Sequence, residues 1–184
     1  MGGPRLGFVG LGWIGVMRMR AVAGRAEVAA LCDTSEDRLA EAGTEYPAAE
    51  RFVEYGELLE AAGRLRLDGI VIATPNALHA GQTLAALREG LAVFCQKPLA
   101  LNAGEAREMV DAARTADRLL DVDYSYRHTD GARALRGLID AGELGRIFRG
   151  ERGFHNGYGP DKAWGHEPPP AGGGLLVGLG VHQI

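Results

Sequence analysis

Three glycines near the start of the chain constrain its fold more than any other feature. The spacing Gly10-x-Gly12-x-x-Gly15 follows a short apolar run, residues 6–9, and opens a helical stretch that starts around Trp13. In a strand–turn–helix unit, the first glycine allows a tight turn and the second lets the backbone approach a pyrophosphate. The third lets the helix pack closely on the strand. In this context the motif predicts a dinucleotide site at the first strand–helix turn.

The residues around this turn extend the predicted site. The helix N-terminus at Trp13 and Ile14 offers N–H groups and partial positive charge to the phosphates. Asp33 ends the second apolar run, residues 28–32, where a carboxylate accepts hydrogen bonds from the adenosine ribose and repels a 2′-phosphate. This favours NAD as the cofactor, while Arg38, one helical turn further on, leaves NADP open.

Short apolar runs alternate with helical patterns over residues 1–123. Such alternation with short connections predicts right-handed crossovers and a doubly wound parallel sheet of the α/β class, the Rossmann architecture. The predicted strands are residues 6–9, 28–32, 52–53, 69–73, 91–95 and 119–122. The predicted helices begin around Trp13, cover residues 35–42 and 56–62, and follow caps at Asn76 and Asn102. Residues 1–123 are therefore expected to form an NAD(P)-binding domain.

The chain changes character after this domain, and residues 124–184 are expected to begin a second one. A helix over residues 131–140 and a strand over 146–154 are predicted, followed by a Pro/Gly-rich loop over 157–174. One strand cannot make an independent sheet, since even two-stranded hairpins are marginal. We therefore expect the second α/β domain, the substrate and oligomerisation domain, to be cut short in this chain.

Composition and charge exclude several classes of protein. The 184 residues include 24 acidic and 20 basic ones, which argues against a nucleic-acid surface. No stretch reaches the ~18 uncharged apolar residues of a membrane-spanning helix, and Arg18 and Arg20 argue against a signal peptide. Cys32 and Cys95 fit buried thiols of a reducing compartment, and the histidines have no metal-ligand spacing. We expect a cytoplasmic protein with no metal site.

Five segments along the chain carry a family resemblance. ATPNALHA, residues 73–80, and FCQKPLA, residues 94–100, resemble the turns after the fourth and fifth strands of the glucose–fructose oxidoreductase, inositol dehydrogenase and MocA (Gfo/Idh/MocA) family. YSYRH, residues 124–128, GELGRI, residues 142–147, and W-x6-AGGGLL, residues 164–176, resemble later segments of that family. The joint spacing is more specific than any one motif, and the resemblance runs over essentially the whole chain.

The resemblance implies an overall organisation and a set of cofactor residues. A Rossmann domain would be followed by a domain with an open, mostly antiparallel sheet, with the active site between them and oligomers formed through the second sheet. Carried over residue by residue, it implies that Thr74, Asn76, Gln96 and Lys97 line the nicotinamide end, and that His79 also belongs to the cofactor site. The first four follow the carboxyl ends of predicted parallel strands, where such sheets bind ligands.

Lys97 and His182 are the catalytic residues that the resemblance implies. An ammonium group can polarise a substrate oxygen and stabilise developing alkoxide charge, and a histidine can act as acid or base near neutral pH. The family has an aspartate four residues before this histidine, where this chain has Gly178, and a glutamate where this chain has Gln96. These two departures weaken the case for catalysis.

Two functional hypotheses remain at this point. The leading one is an NAD(P)-dependent oxidoreductase that transfers a hydride between nicotinamide and a secondary alcohol or ketone of a sugar, cyclitol or related polyol. The alternative is a non-catalytic dinucleotide-binding module, such as a sensor or part of a complex. The expected partners are a small polyol-like substrate and, if the second sheet is complete, further copies of the chain, with no nucleic acid and no membrane.

Overall fold

The structure, a computed structural model of the chain, describes residues 2–149 and 151. The chain divides into two compact units, Met1–Val122 and Asp123–Ile184. The strands are β1 (Arg5–Val9), β2 (Glu27–Cys32), β3 (Glu50–Phe52), β4 (Gly69–Ile72), β5 (Ala92–Cys95) and β6 (Leu120–Val122). The helices are α1 (Trp13–Val22), α2 (Glu36–Glu45), α3 (Tyr55–Leu65), α4 (His79–Arg88), α5 (Ala103–Ala116) and α6 (Asp130–Asp140).

The six strands form one parallel sheet in the order β3-β2-β1-β4-β5-β6. The chain therefore builds the sheet outward from β1 in one direction and then, from β4 onward, in the other. This confirms the Rossmann-type α/β sheet predicted for the first part of the chain. None of the helices in residues 2–149 combines the length and apolar character needed to cross a membrane.

Strand β4, with the sequence GIVI, illustrates how the core forms on both faces of the sheet. Ile70 and Ile72 belong to one buried cluster and Val71 to the other, because successive side chains of a strand point to opposite faces. Residues of α3, α4 and α5 pack in the first cluster, and residues of α1 and α2 pack in the second. A strand that is apolar at every position requires such cover on both sides.

Helix starts follow the sequence in two cases and depart from it in a third. Ser35 caps α2, and Asn102 caps α5 by accepting a backbone hydrogen bond, as predicted. The prediction that Asn76 caps a helix is wrong, because Asn76 lies inside a short 3₁₀ turn without a side-chain cap, and α4 begins only at His79. The residue that precedes the turn is Pro75, which is held in an extended conformation with φ −58° and ψ 143°.

In the second unit, α6 agrees with the helix predicted over residues 131–140. The strand predicted over 146–154 is not found in the part that the structure describes, residues 146–149 and 151. A strand requires hydrogen bonds to a neighbouring strand, and the described residues of this unit include no other strand that could pair with it. The rest of that segment and the loop over 157–174 lie outside the described residues.

Candidate cofactor site

The carboxyl ends of β2, β1, β4 and β5 lie side by side along one edge of the sheet. Val9, the last residue of β1, is in register with Cys32 of β2 and with Ile72 of β4, and Ile72 is in register with Cys95 of β5. The direction in which the sheet grows changes between β1 and β4. Open parallel sheets bind ligands outside this point, so the loops that leave these four strands are the expected place of the site.

The glycine motif that joins β1 to α1 has two positions that exclude any side chain. Gly10 has a φ of +86°, and a Cβ there would lie 2.6 Å from the carbonyl carbon of Ala73. A Cβ at Gly15 would lie 2.0 Å from the carbonyl oxygen of Gly10. Both obstacles are backbone atoms, so the glycines let the loop and the first turn of α1 approach each other and the end of β4.

Gly12 differs from these two glycines, because a Cβ there would have no neighbour within 4 Å. Gly12 is the N-cap of α1, this end of the helix has no side-chain cap, and its first turn contains no acidic residue. The space beside Gly12 and the N–H groups at the start of the helix therefore fit an anionic group. This geometry is compatible with the expectation that Gly12, Trp13 and Ile14 bind the pyrophosphate, which remains a prediction.

Asp33 binds the glycine loop through its carboxylate and is only 7% exposed. Its Oδ2 accepts a hydrogen bond from the Leu11 N–H at 2.7 Å, and its Oδ1 accepts one from the Ser35 N–H at 2.9 Å. A guanidinium nitrogen of Arg38 lies 3.6 Å from Oδ2. Each carboxylate oxygen can accept more than one hydrogen bond, so Asp33 can tie the loop to the start of α2 and still accept from a ribose hydroxyl.

The loops after β4 and β5 form the other half of the site, and we name residues 73–78 the β4 turn and residues 96–98 the β5 turn. In the β4 turn, the Thr74 hydroxyl donates to Oε1 of Gln82 at 2.5 Å. In the β5 turn, the Lys97 N–H donates to Oε1 of Gln96 at 3.0 Å. Gln96 therefore keeps the accepting oxygen that a glutamate would offer to the next amide, although it carries no charge.

His79 occupies a different place from the other predicted residues of this half, which are half-buried. It is 0% exposed. Its Nδ1 lies 2.7 Å from the Pro98 carbonyl oxygen, and its Nε2 lies 2.9 Å from the Thr74 carbonyl oxygen. Both ring nitrogens are engaged within the fold, so the geometry departs from the expectation that His79 contacts the cofactor directly. His79 instead connects the β4 turn with the β5 turn.

Two contacts of the site were not identified from the sequence. Gln82 was missed, although it lies three residues after His79 and therefore on the same face of α4. The bond from Leu11 to Asp33 was missed because it uses a backbone N–H, which every residue except proline carries. Helical spacing could have identified the first contact, but no pattern in the sequence indicates the second.

The two cysteines lie beneath this edge, where Cys32 ends β2 and Cys95 ends β5. Both are buried, and neither forms a disulfide. Burial raises the pKa of each thiol to about 12. Since the thiolate is the reactive form of cysteine, neither side chain serves as a nucleophile near neutral pH.

The described part of the second unit contains a cation–π pair, and the predicted acid–base residue lies outside that part. The Arg127 guanidinium carbon lies 5.1 Å from the centre of the Tyr124 ring, within the range of a cation–π contact. His182 and Gly178 lie outside the described residues. The acid or base role of His182 remains a prediction.

Comparison with known proteins identifies the relatives of this chain. Residues 4–124 match the Gfo/Idh/MocA family model described as an oxidoreductase family with an NAD-binding Rossmann fold, and residues 132–184 match the model of the family's C-terminal domain. The chain is 38% identical to the 1,5-anhydro-D-fructose reductase of Ensifer adhaerens, over 93% of the chain and 50% of that protein. It is 30% identical to an inositol 2-dehydrogenase of Salmonella paratyphi B, over 77% of the chain and 43% of that protein.

A solved structure agrees with these matches. The WlbA dehydrogenase of Bordetella pertussis, in complex with NADH and UDP-GlcNAcA, is similar with a TM-score of 0.75 and 29% identity. The similarity covers 80% of this chain and 42% of that one. The chain thus spans about half the length of the curated relatives that it matches.

Proposed function

The chain belongs to the Gfo/Idh/MocA family of oxidoreductases, and we propose that it carries the cofactor half of a dehydrogenase that acts on a sugar or cyclitol. The reaction would pass a hydride between NAD and a secondary alcohol or ketone of the substrate. The NAD-binding Rossmann fold expected from the motifs is confirmed by the family match over residues 4–124. The substrate class is supported by relatives that are named for a sugar derivative and for a cyclitol.

The observation that carries this proposal is the contrast among the three motif glycines. Backbone atoms block a Cβ at Gly10 and at Gly15, while a Cβ at Gly12 would stand in open space. This arrangement lets a pyrophosphate approach the loop at Gly12 and accept hydrogen bonds from the N–H groups at the start of α1.

Asp33 supports a preference for NAD over NADP. Its carboxylate lies at the end of β2, where it would accept hydrogen bonds from the ribose and repel a 2′-phosphate. Arg38 lies 3.6 Å from the same carboxylate and brings a positive charge to this end of the site. Arg38 therefore moderates the repulsion, and NADP remains a weaker second cofactor.

Lys97 is the residue that we propose acts on the substrate oxygen. Bound NAD supplies a nicotinamide ring that accepts or donates the hydride. The ammonium group of Lys97 would stabilise the alkoxide charge that develops on the substrate oxygen. The N–H of the same residue is bonded to Gln96, so the backbone from which the side chain extends is held in place. We propose His182 as the acid or base that moves the hydroxyl proton.

The experiment combines NAD binding with turnover by the purified chain. Isothermal calorimetry would measure the affinity for NAD and NADP, and steady-state assays would follow NADH formation with inositols and with anhydro sugars. Lys97→Ala is expected to lower turnover about 100-fold or more, a much larger change than the one expected in NAD affinity. Arg114→Ala serves as the control, since it also removes one positive charge but lies in the exposed last turn of α5. Turnover that Lys97→Ala leaves unaltered would refute the role of Lys97.

A dinucleotide-binding module without catalysis is the second candidate. Gln96 and Gly178 favour it, since they stand where the resemblance implies carboxylates. This function predicts NAD binding in calorimetry and no NADH formation with any inositol or sugar tested. Measurable turnover by the chain would exclude it.

A further inference from the structure

His79 is a buried titratable side chain with two partners of the same kind. Its ring nitrogens lie 2.7 Å from the Pro98 carbonyl oxygen and 2.9 Å from the Thr74 carbonyl oxygen. Pro98 belongs to the β5 turn and Thr74 to the β4 turn, so the imidazole ring lies between the two turns. The side chain does not reach solvent, since it is 0% exposed.

The chemistry of these two contacts depends on the protonation of the ring. A carbonyl oxygen accepts hydrogen bonds and cannot donate them. A neutral imidazole has one N–H, so it can donate to one of the two carbonyls while its other nitrogen faces an oxygen with a lone pair. The imidazolium has an N–H on each nitrogen, and it is the form that makes both contacts hydrogen bonds.

We propose that His79 is a positioning residue whose imidazolium form ties the β4 turn to the β5 turn and thereby fixes the nicotinamide end of the site. The inference rests on the proposed NAD site, since these turns carry Thr74, Asn76, Gln96 and Lys97. A ligand that contacts both turns binds best when both are held. Nicotinamide binding and protonation of His79 therefore favour each other, and by linkage each strengthens the other equally.

Several groups oppose one another at this ring. Burial is the largest effect and lowers the pKa of His79 below its ordinary value of 6.5, the two carbonyl oxygens raise it, and the positive charge of Lys97 lowers it further. Among the described residues, Lys97 is the charged group whose field acts on the ring. Near neutral pH the His79 ring of the free protein is therefore neutral, and it donates a hydrogen bond to only one of the two turns at a time. A ligand that contacts both turns is expected to increase the fraction of His79 that is protonated, and the protonated ring donates a hydrogen bond to each turn.

The first experiment follows the ring and its two partners in the wild-type chain. The full-length chain, labelled with ¹⁵N and ¹³C, would be titrated in acid while NMR records the His79 ring nitrogens and the carbonyl carbons of Thr74 and Pro98. Carbon detection is required because Pro75 has no N–H through which the Thr74 carbonyl could be observed. We expect both carbonyls to shift with the same midpoint as the His79 ring, below the ordinary histidine pKa of 6.5.

A carbonyl that does not follow the ring would overturn the inference. If the shift of only one of the two carbonyl carbons follows the titration of His79, the ring donates a hydrogen bond to one turn only. Its other nitrogen then lies near the second carbonyl without a hydrogen bond. The measurement needs no variant, so it stands even where a substitution at His79 prevents folding. Lys97→Met adds a check on the electrostatics, since loss of the positive charge is expected to raise the His79 midpoint.

The second experiment compares two ligands that differ at the nicotinamide ring. Tetrahydro-NAD is stable in acid and has an uncharged ring, whereas ADP-ribose fills the pyrophosphate and ribose positions and lacks the ring altogether. We expect tetrahydro-NAD to raise the His79 midpoint by about one pH unit, equivalent to about tenfold tighter binding to the imidazolium form. ADP-ribose is expected to leave the midpoint where it is.

The two experiments separate failure of this inference from failure of the proposed function. If tetrahydro-NAD binds in calorimetry and the His79 midpoint does not rise, His79 is a structural residue and the positioning role is refuted. If neither ligand binds, the proposed NAD site is wrong. The shifts of the two carbonyl carbons in the free chain then decide by themselves whether His79 connects the turns.

Discussion

The two halves of the proposed site are built by different means. At the glycine loop, the backbone itself forms the site, because Cβ atoms at Gly10 and Gly15 would collide with carbonyl groups. At the β4 and β5 turns, side chains hold the backbone, with Thr74 bonded to Gln82 and His79 placed between two carbonyls. The first half therefore depends chiefly on close backbone packing, whereas the second depends on side-chain hydrogen bonds, two of which involve the titratable ring of His79.

The largest effect is expected from Gly15→Ala, which breaks the first half. The new Cβ would lie 2.0 Å from the Gly10 carbonyl oxygen, so the helix and the loop must move apart. We expect the free energy of unfolding to fall by about 3 kcal/mol or more, as for severe overpacking of backbone. Urea denaturation followed by circular dichroism would measure the change.

Gly12→Ala is the matched control for this prediction. The φ of −65° and ψ of 177° at Gly12 suit any residue, and the added Cβ meets nothing within 4 Å. Stability should therefore stay near the wild-type value, while NAD affinity falls about tenfold because the methyl group occupies the approach of the pyrophosphate. Equal destabilisation by the two variants would contradict the inference that Gly15 is needed for packing and Gly12 for access of the cofactor.

An intermediate effect is expected from Asp33→Asn, since Asp33 connects the loop with α2. Both of its oxygens accept backbone N–H groups, and an amide nitrogen would place a donor against one of these donors. This mismatch should cost about 1–3 kcal/mol of stability. The lost charge should also shift the ratio of NADP to NAD affinity by about tenfold toward NADP, because the repulsion of the 2′-phosphate is removed.

Arg38→Ala in the Asp33→Asn background tests the source of that shift. We expect part of the gain in NADP affinity to be lost, since Arg38 is the positive group beside this carboxylate, while the repulsion by Asp33 stays removed. Calorimetry with both cofactors gives the ratio directly. A ratio that remains at the Asp33→Asn value would assign the preference to a residue other than Arg38.

The difference between the halves also explains what could be predicted from the sequence. Where two backbone segments come as close as they do here, only glycine fits, so the places of Gly10 and Gly15 could be predicted from the sequence motif. His79 was placed at the site by its motif, but its direction depends on how α4 packs beneath the turns, and a motif does not encode that packing. The contact between Asp33 and Leu11 joins two loops through a backbone N–H, which leaves no mark in the sequence.

The local pattern of apolar and charged residues predicted single strands well, but it did not predict which strands pair. Buried runs such as GIVI defined the strands of the sheet, because apolar residues at every position require cover on both faces. The alternating charges of residues 146–154 suited a half-exposed strand, but the described residues 146–149 and 151 form none, and a strand needs a neighbouring strand to pair with. Asn76 has a side chain of the capping type, but it lies within a 3₁₀ turn and makes no side-chain cap, and α4 begins at His79.

The smallest effect is expected on the free energy of unfolding in weak acid, through His79 between the β4 and β5 turns. The folded protein lowers the pKa of His79, mainly by burial, so the unfolded chain takes up the proton more readily. The free energy of unfolding should therefore fall as pH drops through the ordinary histidine value of 6.5, and the decline should stop below the folded-state pKa. A single proton limits the slope to about 1.4 kcal/mol per pH unit.

His79→Gln separates this slope from other acid effects, because glutamine does not titrate and can still donate to one carbonyl. Glu45 and Glu50 have a pKa below their ordinary 4.5 because of Arg20 and Arg64, so the stability that they add is lost only in stronger acid. Urea denaturation across the weak-acid range should then show a slope in the wild type and none in the variant. A slope that persists in His79→Gln would place the titrating group outside the β4 and β5 turns, and the two halves would no longer differ in their response to pH.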